Sequence, residues 1–584
     1  MKILQVFVAV ASFFNEFQLV LGSPQPKRYN GVHDQYCFTP GQPVKTTSGT
    51  VIGKVATYRD QVSEYLGIPF AQPPVGALRF AAPRPFLGSG FINATKFSPD
   101  CAANLEAIST SEASSLGLAG TNSDLVLAEL IQSGDITSED CLTLNIWTKP
   151  QSGEKAKAVL FWIYGGGFQT GNTNNPTYDG EYFADEEDVI VVSANYRLNV
   201  FGFPGLPDQP DAPQNPGLLD QRLAVEWVRD NIAAFGGDPN RITIFGQSAG
   251  GTSVDYYSYA WTENPIVAGF IPESGTAVSF ATPAPPNNTA AWFNASQILG
   301  CGGELAGIPV TLACVRNKST SEILAATRTT NPLMAVLGQF GPTADEQVVF
   351  SNYSTRAAEG KFIQKPYFTG NNDYEAGLFK VLAKAGNERI PDILWAIFNL
   401  AVFTCPASDA ANVRATHNVP VWRYRYFGEF PNLRLTSVPN SGAWHGSEIS
   451  VVWGTAQNAS QQQDTPVEQS ISSYLMGVWA SFAKNPECGF DEAPYEFPTY
   501  DQNMSTLIRF AYMNQTQPSY ISPITFDYAC STLETLAAPI PGGLLGALNQ
   551  LSSGSASPAA EAFLGGLNNF ANLSALGGGN PSTM

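Results

Sequence analysis

Histidine is scarce in this chain, with three among 584 residues: His33, His417 and His445. A search for a general base therefore has three places to look. Cations are short as well. Lys and Arg number 31 against 50 Asp and Glu, a formal charge of -19. So acidic a chain repels nucleic acid and anionic membranes and favours solubility. Beyond the N-terminal leader no uninterrupted apolar run is long enough to span a bilayer. The eight cysteines never fall in a CxxC spacing, which removes the usual zinc and redox motifs. No metal or cofactor is expected.

The first residues, MKILQVFVAVASFF, join one lysine to an apolar run from Ile3 to Phe14 that is too short for a membrane helix. They read as a signal peptide over residues 1–22, with Val20 and Gly22 suiting cleavage before Ser23. Lys2 and Glu16 cancel, so its removal leaves the charge unchanged. An even cysteine count and N-x-S/T sequons at Asn93, Asn287, Asn294, Asn317, Asn352, Asn458, Asn503, Asn514 and Asn572 fit a secreted, extracellular glycoprotein. Residues 23–535 read as one catalytic domain without an internal linker. Residues 536–584 form a Gly/Ala/Ser/Leu-rich low-complexity tail to which no chemistry is assigned.

Apolar, β-branched runs recur between helical stretches: Ala158 to Tyr164, Val189 to Ala194, Ile242 to Phe245, Pro366 to Gly370 and Val419 to Tyr426. That rhythm predicts an α/β fold, a large mostly parallel sheet with helices on both faces. Leu219, Leu223 and Trp227, with Ala224, Val228 and Ile232, predict an amphipathic helix over Leu219 to Ile232, ended by Gly236 and Gly237.

FGGDPNRITIFGQSAGG, from Phe235, is a turn, a short apolar strand and a serine between glycines. Gly246 and Gly250 permit the cramped strand-to-helix turn that lifts the Ser248 hydroxyl clear of the sheet. A helix from Ser248 toward Ala260 would aim its positive end at that nucleophile. Ester hydrolysis through serine also needs a base, an acid to hold the base, and oxyanion donors. His445, flanked by Gly442 and Gly446 in SGAWHGSEIS, is the base; His33 lies in the leader region and His417 directly precedes a strand. Glu375, just past the strand ending at Gly370, is the acid, with Asp373 as its rival. WIYGGGFQTG supplies the oxyanion hole through the N–H groups of Gly166 and Gly167, with Ala249 adding the one after the nucleophile. No Lys-Ser/Thr pair follows this glycine cluster, so it is not a P-loop.

With YLGIPFAQPPVGALRF at Tyr65, EDCLTLNIW at Glu139, YGGGF at Tyr164, NYRLNVFGF at Asn195 and NPGLLDQRLAVEWVRDNIAAFGGDP at Asn215, the chain resembles the type-B carboxylesterase/lipase family from about Val51 to Cys530. The resemblance implies an α/β-hydrolase fold, carboxylic ester substrates, small-molecule or lipid, and no cofactor. It also implies disulfides Cys101 with Cys141, Cys301 with Cys314 and Cys405 with Cys530, leaving Cys37 and Cys488 to pair by elimination. It carries over an Arg79–Glu139 ion pair, and Ser274 and Glu448 as support for the triad. Two departures bear on substrate. Gln247 stands where the cholinesterases of the family carry glutamate, and no aromatic residue occurs between Cys101 and Cys141, so choline esters are poor candidates. That loop instead holds Leu105, Ile108, Leu116, Leu118, Leu125, Val126, Leu127, Leu130 and Ile131, which form either a mobile lid or a helix packed permanently on the body. The expectation is a serine carboxylesterase. A lipase or sterol esterase working at lipid interfaces is the alternative, and a non-catalytic binding or adhesion protein is the reading from another class.

Overall fold

All five apolar runs singled out in the sequence become strands of one sheet in the computed structural model, which describes residues 38–104, 132, 135–279, 288–329, 332–437, 440–491, 493–537 and 557–558. The expected signal peptide, Cys37, the lid candidates from Leu105 to Ile131 and nearly all of the tail lie outside these residues.

In chain order the strands are β1 (Lys54–Val55), β2 (Ser63–Pro69), β3 (Thr143–Thr148), β4 (Lys157–Ile163), β5 (Ile190–Ala194), β6 (Gly237–Gln247), β7 (Gly269–Glu273), β8 (Tyr367–Asn372), β9 (Val421–Tyr426), β10 (Leu507–Phe510) and β11 (Ser519–Ile521). They lie in the order β11-β10-β9-β8-β7-β6-β4-β5-β3-β2-β1. The run from β10 to β5 is parallel, and the outer strands at both margins pair antiparallel. Every residue of β4, β5, β8 and β9 is buried. Helices on both faces of a parallel sheet demand this, which is why the runs read as continuous rather than alternating.

The helix α1 (Pro216–Asn231) starts on a proline at its first turn and tightens into a 3-10 turn at Ile232–Phe235 before Gly236, at φ 87°, stops it. The expected stripe is only part of its contact surface. Leu219 and Leu223 are half-buried, whereas Leu218, Ala224, Val225 and Val228 are fully covered. Asp220 in the same helix is wholly buried, and its carboxylate accepts Arg197 Nε at 2.8 Å and Nη2 at 2.7 Å. A charge placed so deep persists only when paired in this way.

The expectation that no later segment is long and apolar enough for a membrane needs correction. The continuous helical run Asp392–Thr416 meets that criterion by length and composition. It is mostly buried inside the protein, its apolar faces spent on the core. A π-helical turn at Asn399–Thr404 interrupts it, and Asn399 Nδ2 donates there to the Asp373 carbonyl near the sheet's carboxyl edge. The bridges Cys101–Cys141, Cys301–Cys314 and Cys405–Cys530 are formed, with Cα separations of 5.0, 5.5 and 5.5 Å. Arg79 grips Glu139 through Nε at 2.7 Å and Nη2 at 2.5 Å.

Candidate active site

Strand β6 ends at Gln247 and the next residue, Ser248, takes φ 59° and ψ -122°, a strained backbone for a residue with a side chain. Ser248 N–H donates to the Glu273 carbonyl at 2.9 Å, and its own carbonyl accepts Thr252 N–H at 2.8 Å, so strand and helix hold the strain between them. The tightness of the turn explains Gly250, where a Cβ would stand 1.9 Å from the Ile163 carbonyl oxygen. Helix α2 (Ala249–Ala260) begins at once. Ala249 N–H is thus among the first-turn donors without an intrahelical acceptor, at the positive end of the helix.

The glycine-rich loop after β4 runs beside this turn. A Cβ on Gly165 would come within 2.9 Å of Ser248 Cβ, and Gly166 and Gly167 follow at φ 108° and 62°. Gln169 anchors the loop, its Nε2 donating to the Gly167 carbonyl at 3.2 Å and also to Phe340 O.

Glu375, at the head of α3 (Ala376–Ala385), is fully buried. Its Oε1 accepts Ser274 Oγ–H and Asn372 N–H, each at 2.6 Å, and its Oε2 lies 2.6 Å from His445 Nδ1. A carboxylate on Nδ1 fixes the tautomer with its proton there and leaves the Nε2 lone pair as acceptor. Gln247 Nε2 approaches that lone pair at 3.3 Å. The rings of Phe379 and Phe403 pack on the imidazole at centroid distances of 5.1 and 4.9 Å. Asp373, the rival acid, instead accepts Arg425 Nε at 2.7 Å. His417 bonds the Ala357 carbonyl at 2.9 Å and lies edge-on to Phe362, away from the serine.

Ser248 and His445 line one small cavity of about 60 Å³ together with Gly165, Gly166 and Gln247. Among the described residues Ser248 Oγ makes no hydrogen bond to the imidazole, whose Nε2 faces Gln247. Catalytic bonds of this kind commonly tighten only around substrate.

Behind the imidazole the site is acidic. Burial, and then the neighbouring Glu375 charge, push the Glu448 carboxyl up to about 8, while Asn372 Nδ2 donates to its Oε2. Burial, with Glu448 nearby, also holds Glu273 well above the usual carboxylate range, and Trp479 Nε1 donates to it at 2.7 Å. Glu448 thus bonds Asn372, and Ser274 bonds the acid itself. Ser248 also lines a larger cavity of about 460 Å³, with no charged side chain among the described residues that line it. No cluster of three His, Cys, Asp or Glu suited to a metal ion occurs among the described residues.

Three contacts had no signal in the sequence. Asn372 ties the acid through its N–H and the histidine loop through Nδ2 to the Trp444 carbonyl at 2.7 Å. Gln247 touches a histidine 198 positions away. Gln132, within the Cys101–Cys141 loop, accepts Gly171 N–H at 2.6 Å and donates to Asp100 Oδ2 at 2.8 Å, tying that loop to the glycine-rich one. Only Gln247 stood within a quoted motif, and nothing there marked it as a partner of the histidine.

A mostly parallel sheet carrying a serine on a sharp turn, with an acid and a histidine at neighbouring strand ends, defines the α/β-hydrolase fold. The Carboxylesterase family model matches residues 40–394 and 381–522. Among similar proteins are a chlorogenic acid esterase of Aspergillus niger (34% identical, covering 80% of this chain and 90% of that one), secreted lipase 5 of Gibberella zeae (32%, 81% and 91%) and a cholinesterase of Mus musculus (32%, 82% and 82%). The chain belongs to the type-B carboxylesterase family and is a carboxylic ester hydrolase.

Proposed function

We propose that this protein is a secreted serine carboxylesterase working through an acyl-enzyme. The observation that carries the reading is the Glu375–His445 bond beside a serine on a strained elbow. His445 Nε2 takes the Ser248 proton as Oγ attacks the ester carbonyl. Gly166, Gly167 and Ala249 N–H groups hold the resulting oxyanion, and Glu375 steadies the imidazolium. On collapse the carbon–oxygen bond to the alcohol breaks and His445 returns the proton to the departing oxygen. Water, deprotonated by the same imidazole, then splits the acyl-enzyme and restores the serine.

Secretion draws support from the leader, from the three disulfides, and from the exposure of Asn93, Asn294, Asn317, Asn352 and Asn503 at sequons. A neutral Gln247 beside the histidine, and a larger cavity with no charged side chain among the described residues lining it, favour neutral esters over the cationic choline esters.

A fluorophosphonate probe is expected to label one serine in the wild type and none in Ser248→Ala. That variant should lose about 10⁴- to 10⁶-fold in kcat on 4-nitrophenyl acetate. Labelling elsewhere, or activity retained in the variant, sinks the mechanism.

A further inference from the structure

Two of the three N–H groups assigned to the oxyanion, those of Gly166 and Gly167, come from a loop that glycine leaves free to turn several ways. Something must aim them. Both residues stand at positive φ, and the Gly166 carbonyl accepts Gln169 N–H at 3.0 Å and Thr170 N–H at 3.1 Å. In a trans peptide the carbonyl and the N–H of one plane point opposite ways, so this turn dictates the direction of the Gly167 N–H. Whatever fixes Thr170 and its neighbours fixes a donor to the reacting oxygen.

The fixing comes from the base of the Cys101–Cys141 loop. Gln132 is 1% exposed, and its Oε1 accepts Gly171 N–H at 2.6 Å as well as the Thr170 hydroxyl. Its Nε2 donates to Asp100 Oδ2 at 2.8 Å, and the same oxygen accepts Asn172 Nδ2 at 2.9 Å. Three consecutive residues, Thr170, Gly171 and Asn172, thus hang from one amide and one carboxyl. A parallel pairing of Asp100–Cys101 with Thr137–Ser138, and the disulfide itself, steady that anchor.

Asp100 is costly to keep there. It is wholly buried, and no lysine or arginine pairs with it among the described residues. Burial pushes its carboxyl up to about 7 against the pull of its two amide donors, and Asp135, which accepts the same Asn172 Nδ2 at 2.9 Å, pushes in the same direction as burial. A buried acid without a countercharge weakens a fold, which points to a task beyond folding. Its Oδ1 has no hydrogen-bond partner. Oδ2 therefore accepts both amides whether or not Oδ1 carries a proton, and the anchor works by acceptance rather than by charge.

We infer that Gln132 and Asp100 are positioning residues for the reaction, aiming the Gly167 N–H at the oxyanion through the turn at Thr170 to Asn172. The inference rests on the serine esterase reading and deepens it at the same site. Their influence falls on the transition state, because the tetrahedral oxygen depends on a well-aimed donor far more than the ground-state carbonyl does.

The test measures kcat and KM on 4-nitrophenyl acetate beside the Ki of 1,1,1-trifluoro-2-octanone, a ketone whose adduct with the nucleophile places an oxyanion in the same hole. In Gln132→Leu, kcat should fall about ten- to hundred-fold, Ki should rise by a similar factor, and KM should stay within about three-fold. Asp100→Leu should behave alike, and Asp100→Asn, whose amide oxygen can stand in for Oδ2, should recover most of the loss. Ki does not depend on how much of the protein is folded, so a variant that is merely destabilised loses turnover but keeps its affinity for the ketone. Unchanged kcat and Ki in Gln132→Leu, a fall in kcat with Ki unmoved, an effect on KM alone, or an Asp100→Asn as impaired as Asp100→Leu overturns the inference and leaves the esterase reading intact. A wild type that neither hydrolyses the ester nor binds the ketone overturns both.

Discussion

The two flanks of Ser248 are built from opposite materials. Toward the larger cavity there are rings, aliphatic side chains and hydroxyls, without one formal charge among the described residues that line it. Behind His445 three carboxyl groups, Glu273, Glu375 and Glu448, are each buried to 1% exposure or less. The difference follows the charge history of the reaction. A neutral ester gains nothing from a charged wall before attack, whereas the imidazolium appears only in the transition state and is stabilised by negative charge already in place. Three ionised acids so close together would repel one another, however. Burial resolves the conflict by holding Glu448 and Glu273 toward their protonated forms.

If Glu375 carries the negative charge that matters, its removal should produce the largest effect on that flank. Glu375→Gln keeps the shape but loses the charge and presents the wrong donors to Nδ1, as in other triads whose acid is amidated. kcat should fall about 10³- to 10⁴-fold with circular dichroism unchanged. A loss below ten-fold would hand the role to another of the buried acids.

The neighbouring acid offers a stability test with a defined sign. Below 4.5, its ordinary value, Glu448 is protonated in folded and unfolded chains alike and contributes nothing. As pH rises from there to about 8 the unfolded chain ionises first, so the folded state loses stability through that window. One such proton is worth at most about 1.4 kcal/mol per pH unit. Urea unfolding of Glu448→Gln across the window should show a shallower decline than the wild type. Parallel curves would mean that Glu448 is ionised in the folded protein, and the contrast between the flanks would shrink.

How far the sequence disclosed this arrangement depends on what each residue needs. The elbow was legible because sterics dictate it: Gly250 must lack a side chain with Ile163 O so near. The strands were legible because two-sided burial writes continuous β-branched runs. His445 stood out through the scarcity of its kind. Glu375 and its rival Asp373 lie two residues apart just past the end of one strand, and Arg425, arriving from β9, engages the latter. The cavity wall from Val336 to Ala344 has no periodicity that would mark it, and it acquires meaning only where it meets Phe168 and the glycine-rich loop. Gln247 was legible as a neutral substitution but not as a partner of His445, because the contact crosses 198 residues.

That last contact supports the subtlest test. With its amide nitrogen 3.3 Å from His445 Nε2, Gln247 places a neutral donor on the very lone pair that must take the serine proton. Gln247→Glu would put a carboxylate there instead, extending the acidic flank around to the catalytic face of the ring. Negative charge on that side favours the imidazolium before any substrate binds. The acid limb of the kcat/KM profile for a neutral ester should then move to higher pH, and the rate at neutral pH should drop a few-fold because less of the base is in its working form. Gln247→Leu, which removes the donor without adding charge, should not move the limb upward. An unshifted limb in the glutamate variant would mean that the ring does not meet this side chain in solution, and that the neutral flank begins further from the histidine than the geometry indicates.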